Sequence, residues 1–259
     1  MKGIQFEPDQ DIPDLTGKVI LVTGANTRIF LAARSEAKAQ EAITELKKSL
    51  PRFNPSILFL QRNLSSFQSI KAVVKTFHAS SDRLDLLINN AGIMATPPGR
   101  TEDGVVFLSS SLHSSAPKEG YFLDNRMKTP MPDISTWTLY GQSKLANIHY
   151  CRALAQRNPE IKFVSIHPGL AKTNLGTEFM SGSNFVVSAA LKFAMRFTTV
   201  DVREGAFNSL WVATNPAAES RVLYYPVGVT GKDSELAKDE KLCEQLWEYT
   251  EKELRQYLE

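Results

Sequence analysis

Leu84-Asp-Leu-Leu-Ile88-Asn89-Asn90-Ala91-Gly92 is a short apolar run that ends in two amides, a small residue and a glycine. A run of this length closed by turn residues reads as a fully buried strand. The pattern recurs in Val19-Ile-Leu-Val-Thr23, which closes on Gly24, and in Arg28-Ile-Phe-Leu-Ala-Ala33 and Ile57-Leu-Phe-Leu60. It returns in Val105-Val-Phe-Leu108, Lys162-Phe-Val-Ser-Ile166 and Val227-Gly-Val229. Between these runs the apolar spacing changes to that of helices. Ser35 to Leu50 places Ala39, Ile43, Leu46 and Leu50 on one face and stops at Pro51. Phe67 to Ala79 turns Ile70, Val73, Val74 and Phe77 inward, and Trp137 to Gln156 reads as a long helix. Gly205 to Thr214 and Lys238 to Leu258 complete the helical set, the last as a charged amphipathic helix. Strands alternating with helices predict an α/β fold, a doubly wound parallel sheet of Rossmann-like type, in a single domain over residues 1–259.

Composition narrows the classes of function. A chain of 259 residues that is 42% apolar can bury one large core. The formal charge of +2 comes from dispersed basic residues, which argues against nucleic-acid binding. No stretch reaches the roughly 18–20 apolar residues of a membrane span. Met1 to Pro13 is polar and acidic, without a signal-peptide core, so a cytoplasmic location is expected. Cys151 and Cys243 fall in helical patterns and read as buried thiols of a reducing compartment. His78, His113, His149 and His167 lack metal-ligand spacing, and no metal is expected.

The chemistry-bearing signal is Tyr140-Gly-Gln-Ser-Lys144. A phenol and an ammonium four residues apart stand on one helix face, about 5–6 Å between Cβ atoms. The ammonium favours the phenolate and draws down a phenol pKa that is ordinarily about 10, giving a proton donor or acceptor near neutrality. The pair alone also fits an exposed helical surface. Asn89-Asn90-Ala91-Gly92 upstream is far rarer by chance.

Together, in this order, these motifs resemble the short-chain dehydrogenase/reductases, and within them the retinol-dehydrogenase-like and fungal carbonyl-reductase-like group. The resemblance runs from Leu15 to the end of the chain. It implies reversible hydride transfer between NADP(H) and the carbonyl or secondary alcohol of a small lipophilic substrate. Tyr140, Lys144 and Ser110 take the catalytic places, although Ser109 or Ser111 fits the strand-end serine nearly as well. Gly24 and Asn26 stand where the cofactor loop begins, and an ordinary tight turn fits the same residues. Arg34 stands where relatives that use NADP place a basic side chain against the 2′-phosphate, which makes NAD the lesser choice; a solvated loop arginine is the plain alternative. Asn63 replaces the usual aspartate at the adenine. Asn89, Asn90 and Gly92 pack along the cofactor or simply stabilise the sheet. Pro168, Gly169 and Thr173 resemble the loop beside the nicotinamide carboxamide or form a strand-ending turn. Thr177 to Thr199 reads as a flap whose Phe179, Met180, Phe185, Phe193, Met195 and Phe197 suit a lipophilic pocket or the core better than a membrane surface. A homodimer through the tyrosine-bearing helix and its neighbour is a family habit.

Two segments of the family pattern have no counterpart. After Thr23-Gly24-Ala25-Asn26 the chain continues Thr27-Arg28-Ile29, without the two further glycines or the helix that holds the pyrophosphate. Before Val105 there is no helix bearing an Asn-His-x-Gly motif. Parallel neighbours ordinarily need a crossover of about a dozen residues, so the first two strands are expected to leave their usual places or to pair as a hairpin. One sheet face is expected to lose its cover. A second functional reading follows: an impaired relative that serves as a binding or regulatory protein, or the product of a mis-spliced transcript.

Overall fold

The computed structural model describes residues 3–15, 18–22, 29–33, 35–49, 57–63, 66–89, 101–123, 131, 133–169 and 201–258. A seven-stranded, wholly parallel sheet runs through them in the order β3-β2-β1-β4-β5-β6-β7. Its strands are β1 (Ile20–Val22), β2 (Ile29–Ala33), β3 (Ile57–Gln61), β4 (Leu84–Asn89), β5 (Thr101–Leu108), β6 (Phe163–Ile166) and β7 (Leu223–Tyr224). The helices are α1 (Pro8–Asp11), α2 (Glu36–Ser49), α3 (Phe67–Ser80), α4 (Thr136–Arg157), α5 (Val202–Thr214), α6 (Glu235–Lys238) and α7 (Glu240–Leu258). No helix among the described residues is long and apolar enough to cross a membrane.

Strand side chains alternate between two faces, as the pleat requires. Leu21, Phe30, Ala32, Leu60, Leu87, Val105, Phe107 and Phe163 face one way, against Val73 and Phe77 of α3 and Leu145, Ile148 and Cys151 of α4. Ile20, Leu86, Ile88, Val106, Leu108, Val164 and Ile166 face the other way, against Trp211 and Val212 of α5 and Phe6 of the N-terminal segment. Leu31 packs there on Ala39 and Ile43 of α2. Both cysteines are buried and free.

Three expectations need correction. β1 and β2 do pair in parallel, Ile20 opposite Ile29 and Val22 opposite Leu31. β1 is only three residues long, so its end and the start of β2 lie about 8 Å apart by strand geometry, a distance within the reach of so few intervening residues. The dozen-residue rule holds for longer strands with a helical crossover. β5 begins at Thr101, four residues ahead of the expected run Val105 to Leu108. Its first four residues carry no apolar signal; the backbone ladder with β4, Leu84 to Thr101 and Leu86 to Gly104, recruits them. The last strand is Leu223–Tyr224, paired with Ser165 and Ile166, and not Val227–Val229. The latter residues form a turn in which Val229 N–H donates to Pro226 O and Tyr225 N–H donates to Val229 O.

Candidate active site

The carboxyl ends of the parallel strands form one edge, and sheet order reverses between β1 and β4. Ligands of open α/β sheets bind outside that edge, at that reversal. The described candidates collect there. Asn63 follows β3, Asn89 ends β4, Ser110 follows β5, Pro168 and Gly169 follow β6, and α4 brings Tyr140 and Lys144 alongside. Gly24, Asn26, Arg34, Asn90, Gly92 and Thr173 lie outside the described residues, as does the flap from Thr177 to Thr199.

Gly141 sets how closely α4 approaches β5. A Cβ at this position would lie 2.7 Å from the backbone of Leu112, Ser115 and Ala116. Only a glycine lets the helix rest on the 3₁₀ turn Ser111–Ser115, and Tyr140 and Ser110 flank that contact in sequence. The capping Ser135 Oγ accepts from Trp137 N–H and starts the helix one turn earlier. A sheet-facing side of Leu145, Ile148 and Cys151, all fully buried, then fixes its rotation.

The three serines separate by environment. Ser109 is buried and its hydroxyl donates to Lys144 O at 2.7 Å, tethering β5 to α4. Ser111 is exposed. Ser110 is buried, and its Oγ accepts from Leu112 N–H at 3.2 Å, so the hydroxyl proton stays free to be donated. His113 holds the backbone of Ser110. Its Nε2 accepts from Ser234 N–H at 3.1 Å, so Nδ1 carries the proton and donates to Ser110 O at 2.7 Å.

Lys144 is 7% exposed, and burial pulls the pKa of its ammonium below the usual lysine value. Its Nζ lies 5.5 Å from the centre of the Tyr140 ring and donates to Leu108 O at 3.2 Å. Leu108 O also takes a shorter bond, 2.7 Å, from Asn147 Nδ2. A carbonyl has two lone pairs, so both bonds coexist. The amide is the better donor by distance, and the ammonium can leave Leu108 O without orphaning it.

At the end of β6, His167 N–H donates to Tyr224 O, and Gly169 adopts φ 84°. Burial, with the nearby His113 and Lys144 charges, pulls the His167 pKa down to about 4, so its ring is neutral. Asn208 Nδ2 donates to His167 O at 3.0 Å and to Tyr224 O at 2.7 Å, pinning α5 to β6 and β7. Among the described residues, His167 Nδ1 and Asn208 Oδ1 are buried and have no hydrogen-bond partner. Sealed polar atoms of this kind mark a place that an additional polar group completes.

A nicotinamide riboside fits this residue set. The Lys144 ammonium suits ribose hydroxyls, Ser110 can donate to a substrate oxygen, and the orphaned atoms stand beside the β6 loop. At the opposite end of the edge, Asn63 N–H donates to Ser69 Oγ at 2.9 Å while its carbonyl accepts from Ser66 N–H, locking the entry to α3. Sequence reasoning missed Asn147, Asn208 and the part played by His113, since no local pattern ties them to the site.

Comparison with known proteins agrees with this geometry. Residues 18–106 match the family described as short chain dehydrogenase. An uncharacterized oxidoreductase of Schizosaccharomyces pombe is 30% identical, with 93% of this chain and 86% of that protein covered. That alignment runs over 299 positions against the 259 residues here, so the relative carries residues without counterpart in this chain. Among solved structures, an uncharacterized protein of Mycobacterium paratuberculosis superposes with a TM-score of 0.61 at 21% identity, over 93% of this chain and 95% of that one. L-Sorbose reductase of Gluconobacter frateurii, solved with NADPH and L-sorbose, gives 0.56 at 16% identity over 80% and 94%. These two likenesses concern the fold; the fungal relative, with the matched family region and the Tyr140–Lys144 edge, places the chain in the short-chain dehydrogenase/reductase family, oxidoreductases of alcohol and carbonyl groups.

Proposed function

We propose that this chain transfers hydride between NADP(H) and the carbonyl or secondary alcohol of a small lipophilic substrate. The observation that carries the reading is the desolvated Lys144 ammonium 5.5 Å from the Tyr140 ring, beside a serine with a free hydroxyl proton. When bound, the reduced nicotinamide supplies the hydride. Ser110 donates a hydrogen bond to the substrate oxygen and holds the carbon for attack. Tyr140 gives its proton to that oxygen as negative charge develops there. Lys144 stabilises the resulting phenolate by its charge and grips the ribose hydroxyls. NADP is preferred over NAD because the family resemblance assigns Arg34 to the 2′-phosphate, and L-sorbose reductase, of the same fold, was solved with NADPH. Gly24, Asn26, Asn63, Asn89, Asn90, Gly92, Pro168, Gly169 and Thr173 take the remaining cofactor contacts.

The test is titration of the purified chain with NADPH, followed by fluorescence and melting temperature, together with turnover of a medium-chain aldehyde. Saturable binding and a rate that drops by about 10²-fold or more in Tyr140→Phe are expected. No binding at millimolar NADPH overturns the reading. A second reading, cofactor binding without turnover, draws on the short link of residues 23–28 between β1 and β2. It predicts NADPH binding that Tyr140→Phe leaves unchanged, with no oxidation of NADPH by any aldehyde tried.

A further inference from the structure

The segment Gly120–Leu123, which follows the 3₁₀ turn, is tied to α4 by two bonds. Phe122 N–H donates to Gln142 Oε1 at 2.9 Å, and Tyr121 Oη donates to His149 Nδ1 at 2.8 Å. A Cβ on Gly120 would lie 2.6 Å from Leu242 Cδ1, so the segment touches α7 at that point. Further along α7 the two part, and a cavity of about 440 Å³ lies between them. Tyr121, Leu123 and Tyr249 give it ring and aliphatic walls, while Gln245, Glu248 and Lys252 give it polar ones. The four α7 residues fall at i, i+3, i+4 and i+7 on one face of the helix, and Cys243 and Leu246 turn to the core. A space of this size, with mostly apolar walls and a few polar groups, suits a small organic molecule.

The charges on its rim narrow the class of molecule. Glu248 and Lys252 are exposed and stand one turn apart in the order that favours an ion pair along a helix, acid before base. Glu235 and Lys238 do pair on α6, at 2.7 Å, yet neither Glu248 nor Lys252 takes part in an ion pair among the described residues. An acidic guest would meet Glu248 as a like charge, and a basic one would meet Lys252. A head that carries both charges finds a partner for each.

The cavity wall also leads toward Ser110. His149 Nε2 donates to Ala237 O at 3.2 Å, and Ala237 N–H donates at 3.2 Å to Oγ of Ser234, the cap of α6. Ser234 N–H donates to His113 Nε2, and His113 Nδ1 donates to Ser110 O. We propose that this cavity binds a small aromatic zwitterion, an aromatic amino acid being the simplest case, and that its occupancy steadies Ser110 through Tyr121, His149 and α6. A guest packed on the Tyr121 ring loses that contact when the side chain swings off His149, so it favours the bonded arrangement. The importance of Ser110 rests on the hydride-transfer reading; binding at the cavity does not.

The experiment compares phenylalanine, phenethylamine and hydrocinnamate, which share a ring and differ in head charge, by ligand-observed NMR titration of the purified chain. Phenylalanine is expected to bind tighter than either ion by about twofold to fivefold, the range of an exposed charge contact. Lys252→Gln should close the gap to phenethylamine, and Glu248→Gln the gap to hydrocinnamate; both positions are exposed, so both variants should fold. Hydrogen exchange reads the coupling. With phenylalanine at about ten times its Kd, the amides of residues 234–238 should exchange up to about tenfold more slowly. Tyr121→Phe keeps the ring and the binding but loses that slowing. No binding at tens of millimolar, equal binding of all three probes, or an order that neither charge variant changes overturns the proposal. Binding that leaves α6 exchange unaltered, or slowing that persists in Tyr121→Phe, overturns the link to Ser110. None of these measurements uses NADPH or an aldehyde, so the result stands apart from the test of hydride transfer.

Discussion

Replacing Asp85 by alanine tests how β1 stays in a sheet despite its three residues. Asp85 sits at the amino end of β4 with its side chain 1% exposed. Its Oδ2 accepts from Val19 N–H at 2.7 Å and from Arg83 Nε at 3.1 Å; Arg83 also bonds Oδ1, and Lys18 Nζ stands 3.5 Å away. Burial alone would raise the Asp85 pKa, but the Arg83 and Val19 hydrogen bonds, with the Arg83 and Lys18 charges, bring it below the ordinary carboxylate value. Alanine leaves Val19 N–H, next to β1, without its acceptor, a loss of about 1–3 kcal/mol. Arg83 is 46% exposed and rehydrates when its partner goes, so the ion pair adds only about 1 kcal/mol. A total of about 2–4 kcal/mol corresponds to a melting temperature lower by roughly 4–16 °C for a chain of this size. Asp85→Asn retains an acceptor for Val19 and should lose about 1 kcal/mol. Because the folded pKa is depressed, the stabilisation is complete above the unfolded value near 3.8 and disappears as pH falls through the folded one. The wild type should therefore lose stability below about pH 4 more steeply than Asp85→Ala. Urea melts at pH 7 and pH 3 measure both effects. Alanine and asparagine variants of equal stability at pH 7 would refute the role given to the Val19 bond.

Other perturbations separate chemistry from folding. Asn147→Leu leaves Leu108 O to Lys144 alone, so the ammonium is held back from Tyr140 and the ribose; kcat should fall roughly tenfold with KM little changed. An unchanged kcat would show that the amide does not free the lysine. His149 is neutral, with its pKa drawn down to about 4 by burial and the Arg152 charge. Its Nδ1 accepts from Tyr121 Oη at 2.8 Å while Nε2 donates to Ala237 O at 3.2 Å. Above pH 6.5 the group is neutral in both states; from there down to about 4 only the unfolded chain takes up the proton, so stability declines with falling pH. His149→Gln should flatten that decline by up to about 1.4 kcal/mol per pH unit, and identical pH slopes in denaturant melts would exclude it.

Much of the fold could be read from local pattern, because buried parallel strands advertise themselves as apolar runs. β3, β4 and β6 stand where Ile57, Leu84 and Phe163 begin such runs. What could not be read is structure decided by pairing. Thr101 to Gly104 join β5 through backbone pairing with β4. Leu223 and Tyr224 are too few to show alternation, whereas Val227 and Val229 carry strand-like residues into a turn. The site divides in the same way. Tyr140 and Lys144 share a helix and announce themselves by spacing. Asn147 bonds a carbonyl 39 residues away and His113 meets a backbone 121 residues away, distances no periodicity spans.

The two family segments without counterpart do not weigh equally on this chain. Crossovers between parallel strands are right-handed, so a helix between β4 and β5 belongs on the face where α4 joins β5 to β6. Helix α7 reaches along that face from α4 to α3. Leu246 is 2% exposed within the core there, Trp247 stacks on Tyr150 at 5.5 Å, and Tyr257 stacks on Phe67 at the start of α3 at 3.9 Å. Arg157 of α4 lies 4.2 Å from the Trp247 ring and bonds Glu244 at 2.6 Å. The chain's own last helix therefore shields that side of the sheet, and the tyrosine-bearing helix is covered where a partner helix would be sought. On the other face the sequence offers six residues between β1 and β2 where the family pattern carries a helix, and among the described residues α2 packs on β2 and β3. The lack thus falls at the link between β1 and β2, away from Tyr140 and Lys144 on α4. On the proposed cofactor reading, nucleotide affinity, more than the rate of chemistry, is therefore the quantity in which this chain is expected to differ from longer relatives.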